Sequence, residues 1–342
     1  MTNGDHGSVH GAITVTDQWS DDLLREVSAF YSARPQKGPW SGRWDTSLSY
    51  FRWKCAACPI RPSVIAYAAA EGCIVGAIIL TFKHFRDDDR RLLAAELGDM
   101  YIHPDHRGEG LFARLVEAAT AKGQEAGAEL IFCIPNSAGA DALVRSGRFF
   151  VSPEAEHLTL LLPLRPFALM ATRKPIFRLL GFLDNVWTLL IRIALRLPHG
   201  RLAGDAANLR LDMRDGYLDY RVHRHPNSES YIGLPQTASN NLDQTWVKEV
   251  RYAGLPAVIV GRIYANQHGL YLTQVDETIR YAVGRNAAFA ALWVPARAAS
   301  WFRWRPFVRM QRKNILCAHG TGAHIVSQLH GLRLEMLDSD KI

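Results

Sequence analysis

Ten residues, His103 to Phe112 (HPDHRGEGLF), constrain the fold of this chain more than any other stretch. Before them, Ala95 to Ile102 (AELGDMYI) reads as a strand. After them, Leu111, Leu115, Val116 and Ala119 recur on one helical face. The chain must pass from strand to helix through a turn with glycines at 108 and 110, where the missing Cβ frees the backbone. Amide N–H groups can then converge on one small space, and the helix N-terminus adds partial positive charge. The pattern predicts a main-chain cradle for a diphosphate, with Arg107 as a charge-assisted donor. A glycine-rich turn ahead of a surface helix has the same local pattern, so the flanking segments decide.

Those segments continue the α/β alternation. A helix over 110–126 runs into Gly123 and Gly127, and Ala128 to Pro135 (AELIFCIP) reads as a buried strand. Asn136, a short helix over 138–146, Gly147 and a further strand from Phe149 follow. The run Ile102-x-Pro104-x-x-Arg107-Gly108-x-Gly110-Leu111 resembles the acetyl-coenzyme A signature of the GNAT (Gcn5-related) N-acetyltransferases, usually written Arg/Gln-x-x-Gly-x-Gly/Ala. Phe112 departs from the last position, as in a bacterial branch linked to polysaccharide loci. The eleven-residue spacing from Asn136 to Gly147 is similar to the family's second coenzyme-binding element. The likeness spans residues 12–163.

The resemblance implies acetyl-CoA as co-substrate, its diphosphate on the amides of Arg107, Gly108, Glu109, Gly110, Leu111 and Phe112, with Asn136 as a further contact. The thioester would lie along strand 95–102, its carbonyl polarised by the main-chain N–H near Met100 or Ile102. The acceptor would be a small-molecule amine, such as an amino sugar. Many members carry a Tyr seven residues past the Asn, which protonates the departing thiolate. Here that position is Leu143. Either another group or water serves, or no acid is needed, because a thiolate of pKa near ~8.5 leaves readily. Leu143 equally suits a helix core.

The acceptor amine must lose a proton, and strand 95–102 offers Asp99 and Glu96 as catalytic bases. Their spacing of three places them on opposite faces of a regular strand, so only a bulge brings both into one cleft. His103 is a third option, though a residue before proline at a strand end is often positional.

The chain also repeats itself. Tyr50-Phe-Arg-Trp53-Lys54 with Pro59 is echoed by Tyr217-Leu-Asp-Tyr220-Arg221 with Pro226, and a Tyr follows each proline (Tyr67, Tyr231). Strand Cys73–Leu80 aligns with Ala257–Tyr264, and Cys133-Ile-Pro135 with Trp293-Val-Pro295. Final apolar strands, Leu158–Leu162 and Ile315–Ala318, are expected to close the two halves. The second half lacks Arg-Gly-x-Gly; Val275–Gly284 stands at the loop's expected place. The fold class is therefore α/β (α+β), with tandem GNAT-like domains, each a mixed, mostly antiparallel sheet flanked by helices, the second copy degenerate. The expected organisation is a flexible tail (1–10), a catalytic domain (11–163), a basic helical linker (164–205) and a degenerate domain (206–342).

The net charge of +7 bears mostly on that linker. Arg165, Arg173, Lys174, Arg178, Arg192, Arg196 and Arg201 far outnumber its acidic residues. Central charges argue against a span across Ile176–Leu197, each costing about 2.5–3.5 kcal/mol in lipid. Two readings remain: a helix lying at the membrane surface through 176–197, with Phe177, Leu180, Trp187, Ile191 and Leu195 on its apolar side, or a helical linker packed between the domains. A second basic-aromatic run, Trp301–Lys313, falls inside the folded second half, so nucleic acid is not an expected partner. Cys55-x-x-Cys58 lacks a second ligand pair, so no metal is expected; Cys73 and Cys133 read as core residues. Five cysteines form no disulfide framework, and Met1–His10 has no apolar leader core, which suits a cytoplasmic setting.

Three functions stay open: an acyl-CoA-dependent N-acyltransferase, a tandem protein like the aminoacyl transferases that use charged tRNA, or a non-catalytic acyl-CoA-binding or membrane-associated scaffold. The intact Arg107–Gly110 run speaks against the second, because those enzymes dispense with the glycine loop.

Overall fold

The computed structural model describes residues 12–35, 45–86, 90–196, 209–234, 244–263, 268–296, 307–318, 329 and 332–333. The expected tail at 1–10 and residues 301–306 of the basic-aromatic run lie outside them. Strand β1 (Ile13–Thr16) is followed by α1 (Asp21–Ser32), which Ser20 caps by accepting from the Leu23 N–H at 3.1 Å. Leu24, Val27, Phe30 and Tyr31 form its buried stripe. Helix α2 (Leu48–Phe51) runs directly into a π-helical turn at Arg52–Ala56. Then come β2 (Val64–Ala70), β3 (Cys73–Arg86), β4 (Arg91–Ile102), α3 (Leu111–Glu125), β5 (Leu130–Cys133), α4 (Ser137–Arg145) and β6 (Phe149–Pro163).

The segment between the halves holds α5 (Pro166–Ala171), a 3-10 turn at Pro175–Leu180 and α6 (Leu183–Ala194). Strand β7 (Leu209–Leu211) opens the second half. A second π-helical turn, Asp219–His223, stands 167 residues after the first. There follow β8 (Tyr231–Gly233), β9 (Trp246–Tyr252), β10 (Leu255–Arg262), α7 (His268–Gly284), β11 (Phe289–Pro295), β12 (Val308–Ala318) and β13 (Leu332–Arg333).

Both halves repeat one plan. In the first, β2, β3 and β4 are antiparallel neighbours, and β4 passes through α3 to the parallel β5. In the second, β8, β9 and β10 are antiparallel neighbours, and β10 passes through α7 to the parallel β11. The counterpart of β10 is therefore β4, not the strand beginning at Cys73 with which the sequence pattern aligned it. Likewise Val275–Gly284 is helical, within α7, and the counterpart of the glycine loop is the link from Arg262 to His268. Residues 263–267 of that link contain no glycine.

The halves do not close separately. The sheet order is β1-β2-β3-β4-β5-β12-β6-β11-β10-β9-β8. Strand β12 of the second half pairs with β5 of the first, Leu316 opposite Cys133. Strand β6 of the first half pairs with β11 of the second, from Phe289 opposite Pro163 to Pro295 opposite His157. The two final strands thus change places and pair with each other at the centre. Local periodicity identified them as strands but carried no information about which half receives them.

Three apolar cores follow from this arrangement. One lies under α3, with Leu111, Leu115, Val116 and Ala119, and takes Phe149 of β6 and Leu316 of β12. Another lies under α6 and α7, with Ile191, Leu195, Val275 and Ile279, and takes Leu158, Leu160 and Leu162 of β6. The third covers the opposite face across both halves and joins Phe30, Tyr31 and Trp53 to Tyr217, Tyr220 and Trp246. At its centre the two π-helical turns meet. Trp53 stacks on Tyr220 with centroids 4.9 Å apart, and its indole N–H donates to the Tyr220 carbonyl at 2.8 Å.

Two sequence expectations change here. Cys73 is exposed, because it is the first residue after the Glu71-Gly72 turn; Cys133 is buried as expected. On α6, Ile191 and Leu195 are buried and the Trp187 indole donates to the Pro163 carbonyl at 2.8 Å. Of the five residues expected on the membrane-facing side, Trp187, Ile191 and Leu195 are thus packed on the protein, while Phe177 is half-buried and Leu180 exposed. No helix among the described residues is long and apolar enough to cross a membrane.

Candidate acyl-transfer site

The sheet opens where the sequence predicted the site. Strands β4 and β5 pair in parallel for only three residues, Ala94 with Leu130, Ala95 with Ile131 and Glu96 with Phe132. Beyond Glu96 the pairing stops, while β4 continues to Ile102 and β5 to Cys133, leaving a wedge between them. Within it the β5-facing backbone groups of β4 have no strand to bond.

A bulge sits on β4 beside this wedge. Gly98 lies opposite Ile79 and Tyr101 opposite Ala77, so β4 carries one more residue than β3 between those pairs. Asp99 occupies the bulge at φ +43°. Of the described non-glycine residues with positive φ, Glu71, Asp215, Ala253 and Asn286 lie in turns; Asp99 alone lies within a strand. Such a conformation costs on the order of 1–3 kcal/mol and persists only where surrounding contacts hold it. Here the Tyr31 hydroxyl donates to the Asp99 carbonyl. Burial, and then the Asp99 charge, push the Tyr31 phenol well above its ordinary pKa, so it remains a donor.

The bulge reverses the alternation of faces. Ala94 belongs to the core shared by both halves and Leu97 to the α3 core, yet Tyr101 returns to the shared core. Glu96 and Asp99 consequently point to the same side of the sheet. Each is ion-paired with a lysine, Asp99 with Lys54 of the π-helical turn and Glu96 with Lys83 of β3. The Asp99 side chain is 10% exposed and that of Glu96 2%, and Glu96 keeps one carboxylate oxygen without a hydrogen bond. Sequence reasoning missed Lys54, Lys83 and Tyr31. A lysine interrupting the apolar run of β3 was the available signal, since a buried ammonium needs an anion.

The turn that follows has the predicted geometry. Gly108 and Gly110 take φ of +92° and +70°, and a Cβ at either would meet nothing within 4 Å. The first hydrogen bond of α3 runs from the Arg114 N–H to the Gly110 carbonyl at 3.2 Å. The amides of Leu111, Phe112 and Ala113 therefore precede the helical ladder. An open, exposed turn with free helix-initial donors fits an anionic diphosphate. The Leu111 and Ile102 side chains are buried in the α3 core, so only their main chains can serve a ligand; Met100 and Phe112 are half-buried against the same core. Glu109 is exposed. Arg107 is exposed too and donates through Nε to the Ile102 carbonyl at 3.1 Å, which folds its side chain back over the strand end. Asn136 is the N-cap of α4; its carbonyl oxygen accepts from the Gly139 N–H at 2.8 Å, leaving its amide protons outward. Leu143 is fully buried. No cluster of three or more metal-ligating side chains occurs among the described residues.

The second half preserves the frame but not these groups. The β10–β11 pairing ends at Ile259, and β10 carries a bulge between Val260 and Arg262. Ile259, Gly261 and Arg262 thus occupy the places of Glu96, Gly98 and Asp99.

Comparison with known proteins agrees with this geometry. Residues 23–147 match the acetyltransferase (GNAT) family. A search of curated proteins found no match. Among solved structures, a GCN5-related N-acetyltransferase from Anabaena variabilis ATCC 29413 aligns at TM-score 0.54 and 10% identity, over 90% of this chain and 72% of that one. One from Kribbella flavida aligns at 0.51 and 10%, over 90% and 71%. Saccharomyces cerevisiae N-myristoyltransferase with bound myristoyl-CoA aligns at 0.56 and 10%, over 90% and 82%. At such identities the likeness is one of fold, and it extends over both halves. The segment 23–147, which carries the wedge, the bulge and the glycine turn, is thus the part of the chain that matches the acetyltransferase (GNAT) family.

Proposed function

We propose that this chain is an acyl-CoA-dependent N-acyltransferase whose working half is the first, with acetyl-CoA as the simplest donor and a small polar amine, such as an amino sugar, as acceptor. The observation that carries this reading is the wedge between β4 and β5, which opens one bulge away from the Gly108–Gly110 turn. In this reading the amides of Arg107 to Phe112 hold the diphosphate, with the Asn136 amide beside them. The main-chain N–H near Met100 or Ile102 faces the acyl carbonyl and stabilises the oxyanion formed when the amine attacks. The C–N bond forms, the C–S bond breaks, and the amine proton passes to a carboxylate.

Asp99 is the better base of the two, because its side chain retains some exposure while Glu96 is enclosed. The Lys54 ammonium occupies the Asp99 carboxylate, so Asp99 takes up a proton once an acceptor draws Lys54 away. Leu143 offers no acid; the thiolate departs as such and takes its proton from solvent.

Titration of acetyl-CoA and myristoyl-CoA by calorimetry, followed by thiol release with a panel of amines, tests this reading. We expect one donor site per chain, at least about 100-fold weaker in Gly110→Trp, because an indole fills the cradle and a side chain strains φ +70°. The ion pairs on both carboxylates favour one second reading, a non-catalytic acyl-CoA-binding scaffold. Tight binding with no turnover on any amine would establish it, and no binding at all would remove both.

A further inference from the structure

The described residues expose twelve large apolar side chains, and nine of them fall between Met170 and Ile193. Ile176, Leu179, Phe182, Val186, Leu189 and Ile193 are the most informative, with exposures from 50% at Ile193 to 73% at Leu179. A patch this concentrated is uncommon on a chain with no partner surface. It is also held in place. The Asp184 carboxylate accepts from the Phe167 and Ala168 N–H groups at 2.9 and 3.0 Å, locking α6 against α5. Ile191, Leu195 and Trp187 anchor the other side of α6 on the core formed by β6 and the second half. Helix α6 is therefore apolar on two faces, one already packed and one open.

The charges around the open face share one sign. Arg173, Lys174, Arg178, Arg192 and Arg196 are exposed, while the sole acidic residue of 166–196, Asp184, is buried and engaged. We propose that this face docks onto an anionic bilayer, with the apolar side chains entering the headgroup–acyl boundary and the five cations meeting the lipid phosphates. Apolar insertion and charge attraction add in such a geometry, and neither requires a spanning helix. A second copy of the chain fits less well, because self-association would press the same cations together. A polyanion such as nucleic acid would engage the arginines and leave the apolar centre uncovered.

Flotation of the full-length protein on vesicles tests the assignment. With phosphatidylcholine containing about one-third phosphatidylglycerol, the protein should float, and much less so with phosphatidylcholine alone or when salt shortens the reach of the cations. The double substitution Leu189→Glu with Ile193→Glu should weaken partition by about tenfold or more. Arg173→Glu with Arg178→Glu should remove the preference for anionic vesicles. All four positions are exposed, so Tm and circular dichroism should stay unchanged, which separates lost docking from lost folding. A protein that stays wholly in the soluble fraction overturns the proposal. So does a dimer that Leu189→Glu dissolves without any flotation. Capture by heparin that the apolar substitutions leave intact, again without flotation, overturns it equally.

Discussion

The two halves share one frame and differ in what they place on it. Both have a π-helical turn, an antiparallel run of strands, a bulge on the strand before the long helix, and a short parallel pairing that ends beside the bulge. At the bulge the first half puts Asp99 after Gly98; the second puts Arg262 after Gly261. Where the first half buries Glu96, the second has Ile259, and the counterpart of Lys54 is Arg221, whose guanidinium lies over the Trp53 ring. The link after β10, residues 263–267, contains no glycine. Under the proposed function, a shared strand frame carrying different groups gives the second half an architectural part.

The largest expected effect breaks the comparison at its foundation. A chain ending at residue 163 should not fold, because the place beside β5 is filled by β12. It should lack near-ultraviolet dichroism and acyl-CoA binding until residues 164–342 are supplied as a second chain. A fragment 1–163 that folds alone would show that the strand exchange is incidental. Next in size, Trp53→Ala should cost about 3–5 kcal/mol in denaturant unfolding, since it removes a buried ring and orphans a contact shared by both halves.

At the bulges themselves the halves should answer oppositely. Asp99→Asn should lower kcat by about 100-fold or more with little change in donor affinity, and Glu96→Gln should do less. Arg262→Gln should leave kcat within about twofold while reducing Tm. Equal rate losses at Asp99 and Arg262 would erase the functional distinction.

The smallest effect concerns charge inside the second half. Burial, then the neighbouring Arg221, brings the Lys248 pKa from the ordinary 10.5 down to about 8, with Asp45 opposing. A lysine with a lowered folded pKa penalises the fold while charged, fully below about pH 8, and the penalty fades as pH rises toward 10.5. Lys248→Met should therefore stabilise the protein by about 1–3 kcal/mol at pH 7. That advantage should narrow between pH 8 and 10.5 in paired denaturation curves.

Much of the site was legible because its signals are local. The helix at 111–125, the strand at 130–133 and the short helix at 137–145 all fell within a few residues of their expected bounds. The positive φ at Gly108 and Gly110 follows from residue type alone. What depended on distant residues was not legible. The partners Lys54 and Lys83 lie far from Asp99 and near Glu96 only across a strand pair, and no periodicity announces such a contact. The misaligned strand has a simple cause: β3 and β10 are both apolar runs with a glycine inside, and composition cannot rank them. The pairs Gly98-Asp99 and Gly261-Arg262 held the correct register, because a bulge favours a small residue beside it.

The exchanged strands also set a timetable for synthesis. Phe132 and Cys133 leave the ribosome about 180 residues before Cys317 and Leu316, the residues they bond. Through most of translation the edge of β5 stays open, an unpaired strand border beside the wedge, at risk of pairing with another chain. Contacts so distant in sequence form late and slowly. A premature stop or a destabilising change near the C-terminus would therefore leave the first half unfinished. Selection on activity would then preserve residues that take no part in the chemistry.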